Sequence, residues 1–283
     1  MEGSERFFLG LGITGFHRVS YTQWGKGHNK RVLICVHGLS RNGRDFDDLA
    51  FALSDSWHVL CPDMIGGGKS QWLTQPEGYS ETQYMNDCAT LIARSGATSV
   101  DWVGTSMGGI IGMKLAAQHN TPIRRLVLND VGPLVPREAL KRLRKYLNTM
   151  PVFPDLLAAE TYLYKTNAPF IGHLTTRQWQ KLAQSLTRPH PEGKGYVLHY
   201  DPGILLHFPV ETDIDLWKIW DSIRCPVLTL RGESSDVLTV EITEQMKIRG
   251  PRSKVAEISG CGHAPSLMEG RQIELIRTFL MAD

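Results

Sequence analysis

The sequence predicts an α/β fold: a mostly parallel central sheet covered by helices on both faces, interrupted by a mainly helical insertion. Three observations predict it. Short apolar runs rich in Val, Ile and Leu alternate with helical patterns along most of the chain. Most of those runs are continuous rather than alternating, the pattern of strands buried on both faces. The rhythm breaks once, between about Leu134 and Trp220, where no clear central strand occurs.

Taken in order, the strand-like runs fall at 16–22, 32–36, 57–61, 100–103, 126–128, 227–230 and 255–258. Helical patterns lie between them at about 43–53, 82–95, 107–119, 240–248 and 272–281. The expected organisation is one core domain, 1–133 and 221–283, with an insertion at 134–220. The insertion carries most of the prolines and many aromatic residues: Tyr146, Phe153, Tyr162, Tyr164, Phe170, Trp179, Tyr196, Tyr200, Phe208, Trp217 and Trp220. A small subdomain needs most of these for its own core.

Composition excludes several classes. The 283 residues are 42% hydrophobic and 21% charged, ordinary for a soluble globular chain. A net charge of +2 is too small to draw nucleic acid, and no basic run compensates. The densest basic stretch (Arg137, Lys141, Arg142, Arg144, Lys145) has the spacing of a solvated helix face. No segment approaches the roughly 18 uninterrupted apolar residues of a membrane span. The start, Met1-Glu2-Gly3-Ser4-Glu5-Arg6, lacks the features of a secretory leader. The cysteines (Cys35, Cys61, Cys88, Cys225, Cys261) are odd in number and match no zinc spacing, which points to a reducing, cytoplasmic compartment. Cys261, two residues before His263, is expected to be structural.

The most informative segment is Val100-Asp101-Trp102-Val103-Gly104-Thr105-Ser106-Met107-Gly108-Gly109. It contains G-x-S-x-G between a strand-like and a helix-like run, the context of a nucleophile elbow. Such a turn lifts the Ser106 hydroxyl above the sheet and aims the Met107 N–H at a developing oxyanion. A serine nucleophile needs a base, and the base needs an acid to fix its tautomer. His263, between glycines on the loop after the last strand, is the candidate base. His17, His28, His58, His119, His173, His190, His199 and His207 lack this placement. Asp236, on the loop after the 227–230 strand, is the leading acid, with Asp130 and Glu233 as competitors. His37-Gly38-Leu39 follows the 32–36 strand. The Leu39 N–H is the candidate second oxyanion donor; His37 and Gly38 support that loop.

Together these motifs resemble the α/β-hydrolase-fold serine hydrolases. The likeness rests on His37-Gly38, the Asp63-x-x-Gly66-x-Gly68-x-Ser70 turn, the Gly104-x-Ser106-x-Gly108 elbow, the stretch Ser235-Asp236-Val237, and Gly262-His263-Ala264-Pro265. It spans about Phe16 to Leu280 and implies that the insertion is a cap over the active site. A serine at the nucleophile position disfavours dehalogenation and epoxide opening. Thr105 and Leu39-Ser40-Arg41-Asn42 depart from the usual pattern of the family's carbon–carbon hydrolases. Gly66-Gly67-Gly68-Lys69-Ser70 looks like a phosphate loop but has Asp63 where the first glycine belongs. Gly10-x-Gly12-x-x-Gly15 matches a dinucleotide fingerprint only on paper, because it runs into a strand.

The expected activity is a cofactor-free, metal-free serine hydrolase acting on small to medium apolar or aromatic carboxylic esters. Carbon–carbon hydrolysis and acyl transfer on the same residues are the alternatives, followed by a non-catalytic ligand-binding protein. The expected partner is a small ester-like molecule, with no nucleic acid and no membrane span.

Overall fold

The computed structural model describes residues 3–26, 29, 31–208 and 210–282; Met1, Glu2 and His28 lie outside them. Main-sheet strands and all α-helices are numbered here along the chain. β1 (Ser4–Gly12) and β2 (Gly15–Trp24) form a hairpin. β3 (Val32–Val36), α1 (Asp47–Leu53), β4 (His58–Pro62), α2 (Glu81–Ser95), β5 (Val100–Thr105), α3 (Met107–Ala116) and β6 (Ile123–Asn129) follow. The insertion holds α4 (Arg137–Leu147), α5 (Leu156–Ile171), α6 (Thr176–Leu186), α7 (Trp217–Trp220) and several strands of two or three residues. The core resumes with β7 (Val227–Gly232), α8 (Val240–Ile248), β8 (Lys254–Ile258) and α9 (Gly270–Met281).

The main sheet runs β1-β2-β4-β3-β5-β6-β7-β8. The pairings β1–β2 and β2–β4 are antiparallel, and those from β4 through β8 are parallel. The period-two geometry of a strand splits each apolar run between two cores. Val32, Ile34 and Val36 face the core shared with α2, α3 and α8; Leu33 and Cys35 face the core shared with α1 and α9. That is why these runs read as continuously hydrophobic.

β1 has no counterpart among the sequence-predicted strands. Its Phe7, Leu9 and Leu11 face outward, so it lacks the continuous buried run that marks the other strands. The glycines that mimic a dinucleotide fingerprint serve this hairpin instead. Gly12 and Gly15 face each other at its turn. A Cβ on Gly10 would sit 2.3 Å from Asp87 Oδ1 and 2.4 Å from His17 Nε2, so Gly10 makes room for that buried pair.

Backbone hydrogen bonds help to fasten the insertion to the core, two pairs of them beside the site. The Gly68 N–H donates to His199 O (3.0 Å) and the Asp201 N–H to Gly66 O (2.7 Å). The Gly262 N–H donates to Phe170 O (2.9 Å) and the Ser266 N–H to Ile171 O (3.1 Å). The glycine-rich turn is thus a dock for the insertion. It wraps Asp63, whose carboxylate accepts from the N–H groups of Gly43 and Lys69, both at 2.8 Å. Buried Phe153, Leu163, Trp179, Leu182 and Leu186 of the insertion join the α2/α3/α8 core. Among the described residues no helix is long and apolar enough to cross a membrane.

The elbow is tightly packed against backbone. A Cβ on Gly108 would lie 2.0 Å from Val36 O, and one on Gly104 would lie 2.3 Å from Gly108 O. Both neighbours are backbone and cannot swing aside. Gly108→Ala should therefore lower the unfolding free energy by about 1–3 kcal/mol in urea titration. Gly270→Ala, which meets nothing within 4 Å, should stay within about 0.5 kcal/mol of the parent.

Candidate active site

The sheet order reverses direction at β3, whose neighbours are β4 and β5. Such a switch point leaves a crevice at the carboxyl ends of the strands. Ser106 stands there, between β5 and α3, with φ 51° and ψ −114°. A non-glycine residue held in that region costs about 1–3 kcal/mol, which the surrounding packing must offset. The Trp102 indole N–H bonds Gly108 O at 3.0 Å, and the Ser106 N–H bonds Asn129 O at 3.1 Å. These contacts pin the turn from the strand side.

The His263 ring lies between Ser106 and Asp130. Its Nε2 is 3.0 Å from Ser106 Oγ, and its Nδ1 is 2.8 Å from Asp130 Oδ2. With Nδ1–H donating to the carboxylate, the neutral ring leaves Nε2 free to accept the serine proton. Asp130 follows β6 directly and is fully buried, at 0% exposure. Its Oδ1 accepts from the Gly232 N–H (2.6 Å), and its Oδ2 also accepts from Ser235 Oγ (2.5 Å). A buried carboxylate is tolerable only when hydrogen-bonded in this way.

Asp236, the leading acid on sequence grounds, does not reach His263. The inward position on its loop is taken by Ser235, whose hydroxyl bonds Asp130. Asp236 points outward and takes a two-pronged bond from Arg142 of α4, Nε–Oδ2 at 2.6 Å and Nη2–Oδ1 at 2.7 Å. Partial burial works against its charge, but Arg142 outweighs this and holds its carboxyl below the usual range. Arg142 also lies over the Phe170 ring. Glu233, the third candidate, accepts from the Gly260 N–H at 2.9 Å. Asp130 therefore replaces Asp236 as the residue against the base.

His37 is buried after β3. Its Nδ1–H donates to Gly38 O (2.6 Å), and its Nε2 accepts the Met64 N–H (2.8 Å). The second contact requires a neutral ring, and burial lowers its pKa below 6.5. The loop then turns, with the Arg41 N–H bonding Gly38 O at 3.0 Å. Leu39 lies in this turn and lines the same cavity as Ser106. Met107 is the first residue of α3, where a helix leaves its N–H without an intrahelical acceptor. Burial pushes the Cys261 thiol up to about 11, so it stays protonated at neutral pH.

A cavity of about 140 Å³ opens onto Ser106 and His263. The core contributes Leu39, Arg41, Asp45 and Met268; the insertion contributes Leu143, Tyr146, Ile171 and Phe208. Burial opposes the charge on Arg41, but Asp45 outweighs it and raises the Arg41 pKa. Among the described residues no group of three or more His, Cys, Asp and Glu side chains converges as a metal site would require.

A family model for the alpha/beta hydrolase fold matches residues 31–269, most of the chain. The chain belongs to the α/β-hydrolase fold family. This hydrolase is 40% identical to the 3-hydroxybutyrate-oligomer hydrolase of Cupriavidus necator, over 99% of each chain. It is 26% identical to the 2-(acetamidomethylene)succinate hydrolase of Mesorhizobium japonicum, over 82% of this chain and 81% of the other. The structure of an alpha/beta hydrolase from Novosphingobium aromaticivorans superposes with a TM-score of 0.88 at 33% identity, covering 99% of this chain and 98% of that one.

Asn129 is the residue of this hydrolase's site that sequence reasoning missed. Its Nδ2 bonds Thr105 Oγ1 (3.0 Å) and Pro265 O (2.9 Å), tying the elbow to the His263 loop. Its place beside Asp130 at the end of an apolar strand was the available signal.

Two outcomes are expected. Asp130→Asn should lower kcat/KM for ester hydrolysis by about 10³–10⁴, while Asp236→Asn should cost less than about tenfold; steady-state kinetics of both variants check this. His37 has a folded pKa below its unfolded value. Its contribution to stability is therefore complete above about pH 6.5 and is lost as the pH falls through the folded value. Unfolding free energy measured from pH 7.5 to 5 should decline, and His37→Asn should remove part of that slope.

Proposed function

We propose that this hydrolase is a serine esterase that cleaves short oligoesters of 3-hydroxy acids. One observation carries the catalytic part: the Ser106 Oγ–His263 Nε2–Asp130 chain of contacts, at 3.0 and 2.8 Å. The substrate class draws on the oligomer hydrolase that is 40% identical over 99% of the chain. The largely apolar walls around Ser106 suit a short alkyl ester.

In this reading Ser106 Oγ attacks the ester carbonyl carbon while His263 Nε2 takes its proton. The N–H groups of Leu39 and Met107 hold the oxyanion. As the tetrahedral carbon collapses, the ester C–O bond breaks and His263 protonates the departing alkoxide. Water then attacks the acyl-enzyme, giving a proton to His263, which returns it to Ser106 as the free acid leaves. Asp130 stabilises the imidazolium throughout. Residues 134–220 act as the cap, supplying one wall of the cavity. Five free thiols support a reducing, cytoplasmic place of action.

The deciding assay follows hydrolysis of the 3-hydroxybutyrate dimer and trimer by chromatography. The wild type should release monomer, and Ser106→Ala should reduce the rate by about 10³-fold or more. An equal rate in Ser106→Ala would refute the nucleophile.

A further inference from the structure

The chemistry above leaves a charged pair in the cavity wall unused. Arg41 is the one Lys or Arg among the described lining residues, and Asp45 is the one acid. They hold each other through Nε–Oδ2 at 2.7 Å and Nη2–Oδ1 at 2.8 Å. Both side chains are mostly shielded, at 20% and 16% exposure. The pair lines the same cavity as the reacting serine, and the stem of Arg41 runs near it. A methyl-sized group placed on Gly38 would touch Ser106 Cβ at 3.6 Å and Arg41 Cγ at 3.7 Å.

The two bonds leave hydrogen-bonding capacity on both sides. A guanidinium carries five N–H donors, so about three remain; a carboxylate has about four lone-pair sites, so about two remain. The pair has no net charge. An anionic substrate group would be drawn by Arg41 and repelled by Asp45. A plain alkyl chain would gain nothing from either and would leave their spare sites unmet. An alcohol hydroxyl, neutral and able to donate and accept at once, suits both partners.

We propose that Arg41 and Asp45 are specificity-determining residues that bind the free hydroxyl of a 3-hydroxyacyl unit, a step that rests on the ester-hydrolase reading of Ser106. Only the unit at the hydroxyl end of an oligoester has that group free. The acyl group passed to Ser106 is therefore the terminal one, and oligomers are shortened one unit at a time from the hydroxyl end.

The test compares kcat/KM for p-nitrophenyl esters of 3-hydroxybutyrate, butyrate, 3-methoxybutyrate and succinate. The wild type should favour the 3-hydroxy ester over butyrate by at least about 30-fold, and the methoxy ester should lose that advantage. In the paired variant Arg41→Met/Asp45→Leu the ratio should fall to within about threefold of one, whereas simple structural damage lowers both rates and keeps the ratio. Arg41→Lys should retain part of the preference. A wild-type ratio near one, a ratio that survives the paired variant, or a succinate ester favoured through Arg41 would each overturn the assignment. Turnover that persists in Ser106→Ala would instead sink the ester-hydrolase reading and the proposal with it.

Discussion

The carboxylate of Asp130 is fully buried, and three groups from two loops meet on it. The Gly232 N–H and the Ser235 hydroxyl come from the end of β7 and its loop, and the His263 ring from the loop after β8. Charge in such a place is costly unless every donor is fixed, so the anion dictates where each loop must stand. Removing one donor would leave the anion under-solvated and loosen the other two. The imidazole is oriented because the carboxylate is, and the Ser106 hydroxyl has its proton acceptor for the same reason.

Around that anion the backbone contributes strain and close contact. Ser106 occupies a conformation that few side chains tolerate. It is held there by Asn129 O, by the indole of Trp102 beneath Gly108, and by the absence of any Cβ at Gly104 and Gly108. Asn129 reaches across to Pro265 O, so the loop bearing the base and the turn bearing the nucleophile share one brace.

Much of this was legible in the sequence. The Gly104-x-Ser106-x-Gly108 turn and the isolated His263 identify themselves through spacing and context, because local backbone demands determine them. Asp236 shows where that kind of reading stops. Ser235 and Asp236 are neighbours on a loop, and which of them turns inward depends on whether a carboxylate already waits at the end of the adjacent strand. β1 escaped because its apolar side chains face outward, so no buried run announced it. The insertion's contribution to the cavity was equally hidden, since Tyr146 and Phe208 line it while Trp179 and Trp220 fill the core.

The two backbone bonds from the His263 loop to the end of α5 have a mechanical corollary. Gly262 and Ser266, which flank the histidine, both donate to carbonyls of Phe170 and Ile171. Any outward swing of α5 large enough to admit a ligand would pull on the loop and draw the imidazole away from the serine. Openness and reactivity are then opposed states of one lever. A molecule entering by that route would meet a disarmed serine, and only re-seating of the helix would arm it. Water arriving while the site gapes would find no base in position.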